Sequence, residues 1–393
     1  MLCAMSHPWV KVAKLKTLLY SALVLLGISC SESKISERLH YIEAELDRSS
    51  YVHDSLRNEL DSIMTFAHLS DREMALGQIL KFRFQMVNHD NLDGSLADQA
   101  LEYYNRHHDP RMLAWCHIAR GVYLAHQLER YDESIMELKQ AEELSTLSND
   151  LVLKYYLYQF LEQANQRMQN YEKELKYSQR AFEYSRQLSD TLRLLVSLNN
   201  LATAYTMAYS ANGNPSFTDS AKLCFKKSIP LVNHLTNQSS FTPYFLATLG
   251  GFYLNEHKMD SAYILATKSM QLRPTYLGCL LLASIAEELG NVVKADSLYQ
   301  RTLSMGESDP AIVFSIGKVH PLKFYYNFKM RQGQYHEACQ LMEQIVATKD
   351  SLNRARQVMV VNELQTKYDQ EVKRRALDKN SIVIVLSRPC CWC

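Results

Sequence analysis

Lys323, Asn327 and Arg331 stand four residues apart and are the first side chains in this sequence whose types and spacing could do chemistry. Residues four apart share one face of a helix. Two cations and an amide on such a face could hold a carboxylate by charge-assisted hydrogen bonds. Gln159, Gln163 and Arg167 form a similar polar stripe earlier in the chain, with Asn199 and Thr203 between the two. A solvated helix face is the competing account of each stripe. Catalysis finds less support: the sequence has no GxGxxG, no P-loop, no HExxH and no GxSxG. Ser31-Glu32-Ser33-Lys34 satisfies S-x-x-K, but its partner motifs are missing. His107-His108, just before Asp109-Pro110, reads as a solvated turn, and Glu287 and Glu288 have no evident partner acid. Acid–base catalysis needs groups placed around a substrate in a pocket. No catalytic residue and no cofactor is therefore expected.

Nor do the nine cysteines form a metal set or a disulfide framework. Cys116, Cys224, Cys279 and Cys339 lie far apart, with no close-spaced ligand pair. Cys279 and Cys339 fall on apolar positions and read as small core residues. The tail Cys390-Cys391-Trp392-Cys393 has no nearby histidine to complete four ligands, and reads as a truncated or frame-shifted gene end. A net charge of +1 supplies no field to attract nucleic acid. Only 12 Gly and 9 Pro in 393 residues argue against a β-rich or loop-rich fold, and 24 Tyr suit helix–helix seams partly open to water.

The elements that must position these side chains are helices that recur. In residues 246–274, Gly250, Tyr253, Ala262 and Pro274 are spaced by 3, 9 and 12; Ala283, Ala286 and Ala295 repeat the 3 and 9 spacing 33 residues later. Small residues recurring at a period near 34 mark a tetratricopeptide-type helical hairpin. One position of the second helix places hairpins at Ser134, Glu174, Ala221, Ala262, Ala295 and Ala338. Seven residues on stand Ala141, Ala181, Ser228, Ser269 and Thr302, small enough for the next hairpin to approach. Most second helices open on an acidic turn such as Tyr131-Asp132-Glu133, Tyr171-Glu172-Lys173 or Thr218-Asp219-Ser220, which complements the helix dipole. Ser210–Ser216 reads as a loop insertion in the third hairpin. Upstream, Met74–Val87 with Ser95–Tyr104, and Ile35–Leu46 with Ser55–Phe66, predict further helix pairs that would cap the stack. The predicted fold is an all-α, right-handed superhelical solenoid of about six to eight such hairpins with a long C-terminal helix.

The ends carry separate signals. Lys11, Lys14 and Lys16 precede an apolar run from Leu18 to Ile28, the pattern of a secretory signal, too short for a membrane span. Gly27 and Ser29 suit ordinary cleavage; Cys30 suits lipidation, though Gly27 stands where such boxes usually carry Leu. An uncleaved anchor is the third alternative. At the other end, Val361, Leu364, Tyr368 and Val372 give a narrow seam at coiled-coil spacing, a possible homodimer contact. Basic residues then flank Ile382–Leu386, the start of a membrane-helix pattern that does not continue. The expected organisation is a signal over 1–30, a helical cap with degenerate repeats over 31–110, the repeat array over 111–348, a coiled-coil-like helix over 349–380 and a membrane-helix-like tail over 381–393.

The segments DQALEYYNRHHDPRMLAWCHIARGVYLAHQLERYDESIMELKQAEE (98–143) and VVNELQTKYDQEVKRRALDKNS (360–381) resemble tetratricopeptide-repeat regulatory proteins of the Bacteroidetes. The resemblance spans about residues 30–380. It implies a periplasmic repeat array behind a signal or lipoprotein start, then a coiled coil, a membrane helix and a cytoplasmic output domain. This chain departs from that plan where the membrane helix would begin. Lys323 and Asn327 look like part of the carboxylate clamp by which some repeat proteins hold a peptide's C-terminus, without its companions in adjacent repeats. The resulting expectation is a non-catalytic, membrane-anchored scaffold of the cell envelope that binds a protein or peptide in its concave groove. The alternative is a truncated membrane-coupled regulator whose DNA-binding or kinase-like output domain is missing. An enzyme hidden in residues 35–110 would need a deep pocket with a strongly shifted titratable group.

Overall fold

The computed structural model describes residues 34–49, 54–66, 68–88, 90–128, 130–234, 241–306 and 319–347. Cys30 with the signal segment, the 349–380 seam and the 381–393 tail lie outside the described residues. Within them the chain is all-helical, with no strand. The helices are α1 (34–48), α2 (Asp54–Phe66), α3 (Asp71–Asn88), α4 (Gly94–His107), α5 (Pro110–His126), α6 (Tyr131–Ser145), α7 (Leu151–Arg167), α8 (Tyr171–Ser185), α9 (Thr191–Asn212), α10 (Pro215–His234), α11 (Thr242–Asn255), α12 (Met259–Leu272), α13 (Tyr276–Glu288), α14 (Val292–Gly306), α15 (Val319–Arg331) and α16 (335–347).

From α5 to α13 each odd helix packs most closely on the even helix that follows it, and each hairpin packs on the next. The odd helices also touch one another, α3 with α5, α5 with α7 and α11 with α13, so they form one layer. This is the solenoid of hairpins that the 34-residue period predicts. No helix among the described residues is long and apolar enough to cross a membrane.

Local chemistry sets the alternation. Asp109, Asp150 and Asp190 cap α5, α7 and α9 by accepting hydrogen bonds from backbone N–H groups of the first turn. The turns inside hairpins pass through left-handed residues, Gly290 at φ 72° and Gly333 at φ 72°, where glycine has no Cβ to clash. The small positions are where neighbours close in: Ala262, Ala283 and Ala295 are fully buried, and a Cβ on Gly250 would collide with Leu281 of α13. The residues seven positions on, Ala141, Ala181, Ser228, Ser269 and Thr302, are all buried.

Two local expectations are overturned. The 210–216 segment is not a loop insertion: α9 continues to Asn212, Gly213 turns at φ 70°, and α10 starts at Pro215, three residues before the expected Thr218. Proline suits a helix's first position, and the extra residues lengthen both helices. Cys339 is exposed, unlike the buried Cys116, Cys224 and Cys279. Its apolar position lies on the face of α16 turned away from its own hairpin.

Candidate functional site

In hairpin solenoids the first helices of the units line the concave face, and here that face carries an occupant from the chain itself. The apolar stripe of α1, Leu39, Ile42 and Leu46, is fully buried in the main core with Trp115 and Tyr155. Its last turn is gripped by three arginines from three different odd helices. Arg193 of α9 donates Nη2 to the Leu46 carbonyl at 2.7 Å and Nη1 to the Asp47 carbonyl at 2.5 Å. Arg111 of α5 reaches Glu43 at 2.7 Å, Asp47 at 3.4 Å and Asp150, the α7 cap, at 2.8 Å. Arg83 of α3 donates to Asp47 at 2.5 Å, with its guanidinium 4.2 Å from the Trp115 ring centroid. A helix held from α3, α5 and α9 must lie across the layer they form. Burial would raise the Glu43 carboxyl, but Arg111 outweighs it and holds Glu43 below the usual range.

α7 carries a polar row. Gln159, Gln163 and Gln166 of α7 each hold a buried side-chain oxygen without a hydrogen-bond partner. Gln163 and Arg167 meet Ala125 and His126 of α5 and Ser134 of α6 around a shallow cleft of about 10 Å³. The structure therefore brings Gln163 and Arg167 together in one cleft, with Gln159 one turn away. Asn199 and Thr203 are elsewhere: Thr203 donates its hydroxyl to the Asn199 carbonyl at 3.0 Å. They sit about 100° around α9 from the row formed by Arg193, Ser197 and Asn200, which turns toward α1 and α7. Lys323 is exposed and Asn327 half-buried on α15, three hairpins further on, while Arg331 is bound to Glu287 of α13 at 2.6 Å. Glu287 also accepts from the Tyr299 hydroxyl at 2.8 Å, so it does have partners, none of them an acid.

Sequence reasoning missed the most perturbed groups in this region. Glu162 of α7 accepts from Asn200 of α9 at 3.0 Å, and Glu174 of α8 accepts from Gln166 at 3.0 Å. Both are fully buried, and Glu174 Oε2 has no partner. Burial pushes the Glu174 carboxyl up to about 7 against one hydrogen bond that favours its charged form. Burial and then the neighbouring Glu174 push Glu162 well above the carboxylate range. The signal was present: Glu174 occupies the hairpin position that holds Ser or Ala in the other units. Among the described residues no group of three His, Cys, Asp or Glu side chains converges as a metal site.

No protein-family model matches the chain, and no curated protein sequence matches it. Among solved structures the fold is similar to that of a Rap protein complexed with Competence and Sporulation Factor, with TM-score 0.58 and 11% identity over 82% of this chain and 99% of that one. It is also similar to NprR in complex with its cognate peptide NprX, with TM-score 0.54 and 12% identity over 88% of this chain and 96% of that one. At these identities the likeness is one of fold.

Two outcomes are expected. Arg193→Met leaves two carbonyls of α1 unpaired and should cost about 1–3 kcal/mol. Hydrogen exchange should then quicken over residues 36–48 while α11–α14 keep their protection; unchanged exchange in α1 would show that Arg193 does not hold it. For Glu174, the raised folded value means that the native state binds the extra proton. Stability is therefore present below about pH 4.5 and lost as pH rises through about 7. Glu174→Gln should be stabilising by about 3 kcal/mol at pH 9 and near neutral at pH 4. Urea denaturation at both pH values checks it, and an equal effect at both would refute the buried-acid assignment.

Proposed function

We propose that this chain is a non-catalytic receptor that binds an extended peptide or protein segment along the concave face, on the polar row of α7 beside α1. The observation that carries this reading is the set of three glutamine side-chain oxygens on one helix, buried and unpaired. A side-chain amide offers both a donor and an acceptor, the complement of an extended backbone. Buried polar groups left without partners are costly, and a ligand that supplies them recovers that cost. Support of a second kind comes from fold: Rap was solved with Competence and Sporulation Factor and NprR with its cognate peptide NprX. Arg167 at the cleft favours a carboxylate-bearing segment.

The reading extends to place: the array is the sensory part of an envelope regulator, exported and lipid-anchored at Cys30. The basic start, the short apolar run and the cysteine after Ser29 support this.

Fluorescence anisotropy against a pooled library of labelled peptides tests the groove. Gln159→Ala with Gln163→Ala should weaken any selected peptide at least about tenfold, since one lost buried partner is worth about 1–3 kcal/mol. A selected peptide that binds the double variant as tightly as the native protein would sink the site. Anchoring is read separately by fractionation: Cys30→Ala should move the protein from membranes to the soluble envelope fraction, and unchanged partition would refute lipidation.

A further inference from the structure

The even helices make the outer layer of the solenoid, because the odd ones line its inside. In α10, α12 and α14 one outward position always carries a cation: Lys227, Lys268 and Arg301. Each stands six residues beyond the small position, Ala221, Ala262 or Ala295, and one residue before Ser228, Ser269 or Thr302. Those small residues are buried where helices meet, and a side chain about 100° around the helix from them turns outward. All three cations are exposed, and none has an ion pair among the described residues. The same position is Gln140 in α6 and Gln344 in α16. In α8 it is Arg180, which donates to the Tyr158 hydroxyl at 2.8 Å and lies over that ring. The unpaired cations therefore mark three consecutive hairpins.

Apolar side chains stand in the same outward rows. Leu223 is one turn before Lys227 and 53% exposed; Ile264 is one turn before Lys268 and 63% exposed. In α14 Ser297 is one turn before Arg301, and Val293, one turn earlier again, is 82% exposed. Residues four apart share a face, so in each helix a bare apolar group and a cation point the same way. A solvated face accounts for the cations but not for the leucine, isoleucine and valine beside them. Nearby acids do not neutralise the rows. Asp219 and Asp260 lie eight residues before Lys227 and Lys268, about 12 Å along the axis. Asp296 is held by Lys329 at 2.6 Å, and Glu256 by Lys222 at 2.9 Å.

We propose that this outer face of α10, α12 and α14 docks on the surface of a lipid bilayer that carries anionic phospholipid. Charge selects the partner first: a lysine or arginine near an anionic membrane strengthens binding about fivefold. The apolar groups select further, since they can enter the boundary between headgroups and acyl chains. The spread of the cations selects again. They sit on three different helices, at least a helix diameter apart, about 10 Å. That suits a broad anionic surface better than one extended acidic segment or the closely spaced phosphates of a nucleic acid. The face belongs to the even helices, so docking does not depend on the α7 row.

Flotation with lipid vesicles tests this, using the full chain carrying Cys30→Ala so that no acyl group contributes. The protein should float with equimolar phosphatidylcholine and phosphatidylglycerol, far less with phosphatidylcholine alone, and less as added salt screens the charges. Lys227→Gln, Lys268→Gln and Arg301→Gln together should weaken binding to the mixed vesicles about a hundredfold. Leu223→Gln with Ile264→Gln should weaken it about tenfold and keep the salt dependence. All five side chains are exposed, so the unfolding midpoint should not move. Equal binding of the native and triple-substituted proteins overturns the proposal, as does failure to float with the anionic vesicles. Tighter binding to a short DNA duplex than to those vesicles, lost in the same triple variant, also overturns it and assigns the face to nucleic acid.

Discussion

The Arg193 guanidinium, 1% exposed, donates to two backbone carbonyls that lie 146 and 147 residues earlier in the chain. A buried cation is costly unless its donors are satisfied, and the last carbonyls of a helix are costly unless something donates to them. Nη1 and Nη2 meet the two carbonyls here, while Nε is buried without a hydrogen-bond partner, and the positive side chain also complements the negative end of the α1 dipole. Arg111 and Arg83 add ion pairs to the same turn, so the last turn of α1 is held from α3, α5 and α9 at once. That turn fixes where α1 lies.

The polar row of α7 is built against stability. Two buried carboxyls with one hydrogen-bond donor each, and three amide oxygens with none, stand within two turns of α7 and its neighbours. Elsewhere small residues stand at the close approaches and aspartates cap α5, α7 and α9, while left-handed turns are held by His108, Gln169 and His257 as well as by glycine. Departures from local consistency that cluster at one place are the physical signature of a site, because a ligand or a proton can repay there what folding does not. In a solenoid such a defect stays local, since each hairpin rests mainly on its neighbours.

The same nearest-neighbour logic governs the ends. An interior hairpin has both faces covered, and a terminal one has a face that must be made polar or be covered by other means. At the N-terminal side α1 folds back onto the layer of odd helices. At α16 Tyr335, Met342 and Val346 are exposed among the described residues.

Periodicity made the architecture legible. Gly250, Ala262, Ala283 and Ala295 had to be small because two helices meet there, and local spacing alone carries that information. The same ruler placed Glu174 among Ser and Ala, but its meaning, a carboxyl raised to about 7, went unread because it needs the burial that only packing supplies. Of the donor stripes, the α7 row is gathered into a cleft because its neighbours are adjacent hairpins. Asn199 and Thr203 share a spacing but face another way, and Arg331 is taken by a glutamate 44 residues earlier. Helical period thus determined the class, the hairpins and the tight contacts, since these depend on residues a few positions apart. The seat of α1, the partners of Arg193 and the isolation of Glu162 and Glu174 were decided by tertiary structure, because each joins residues whose separation no local pattern records.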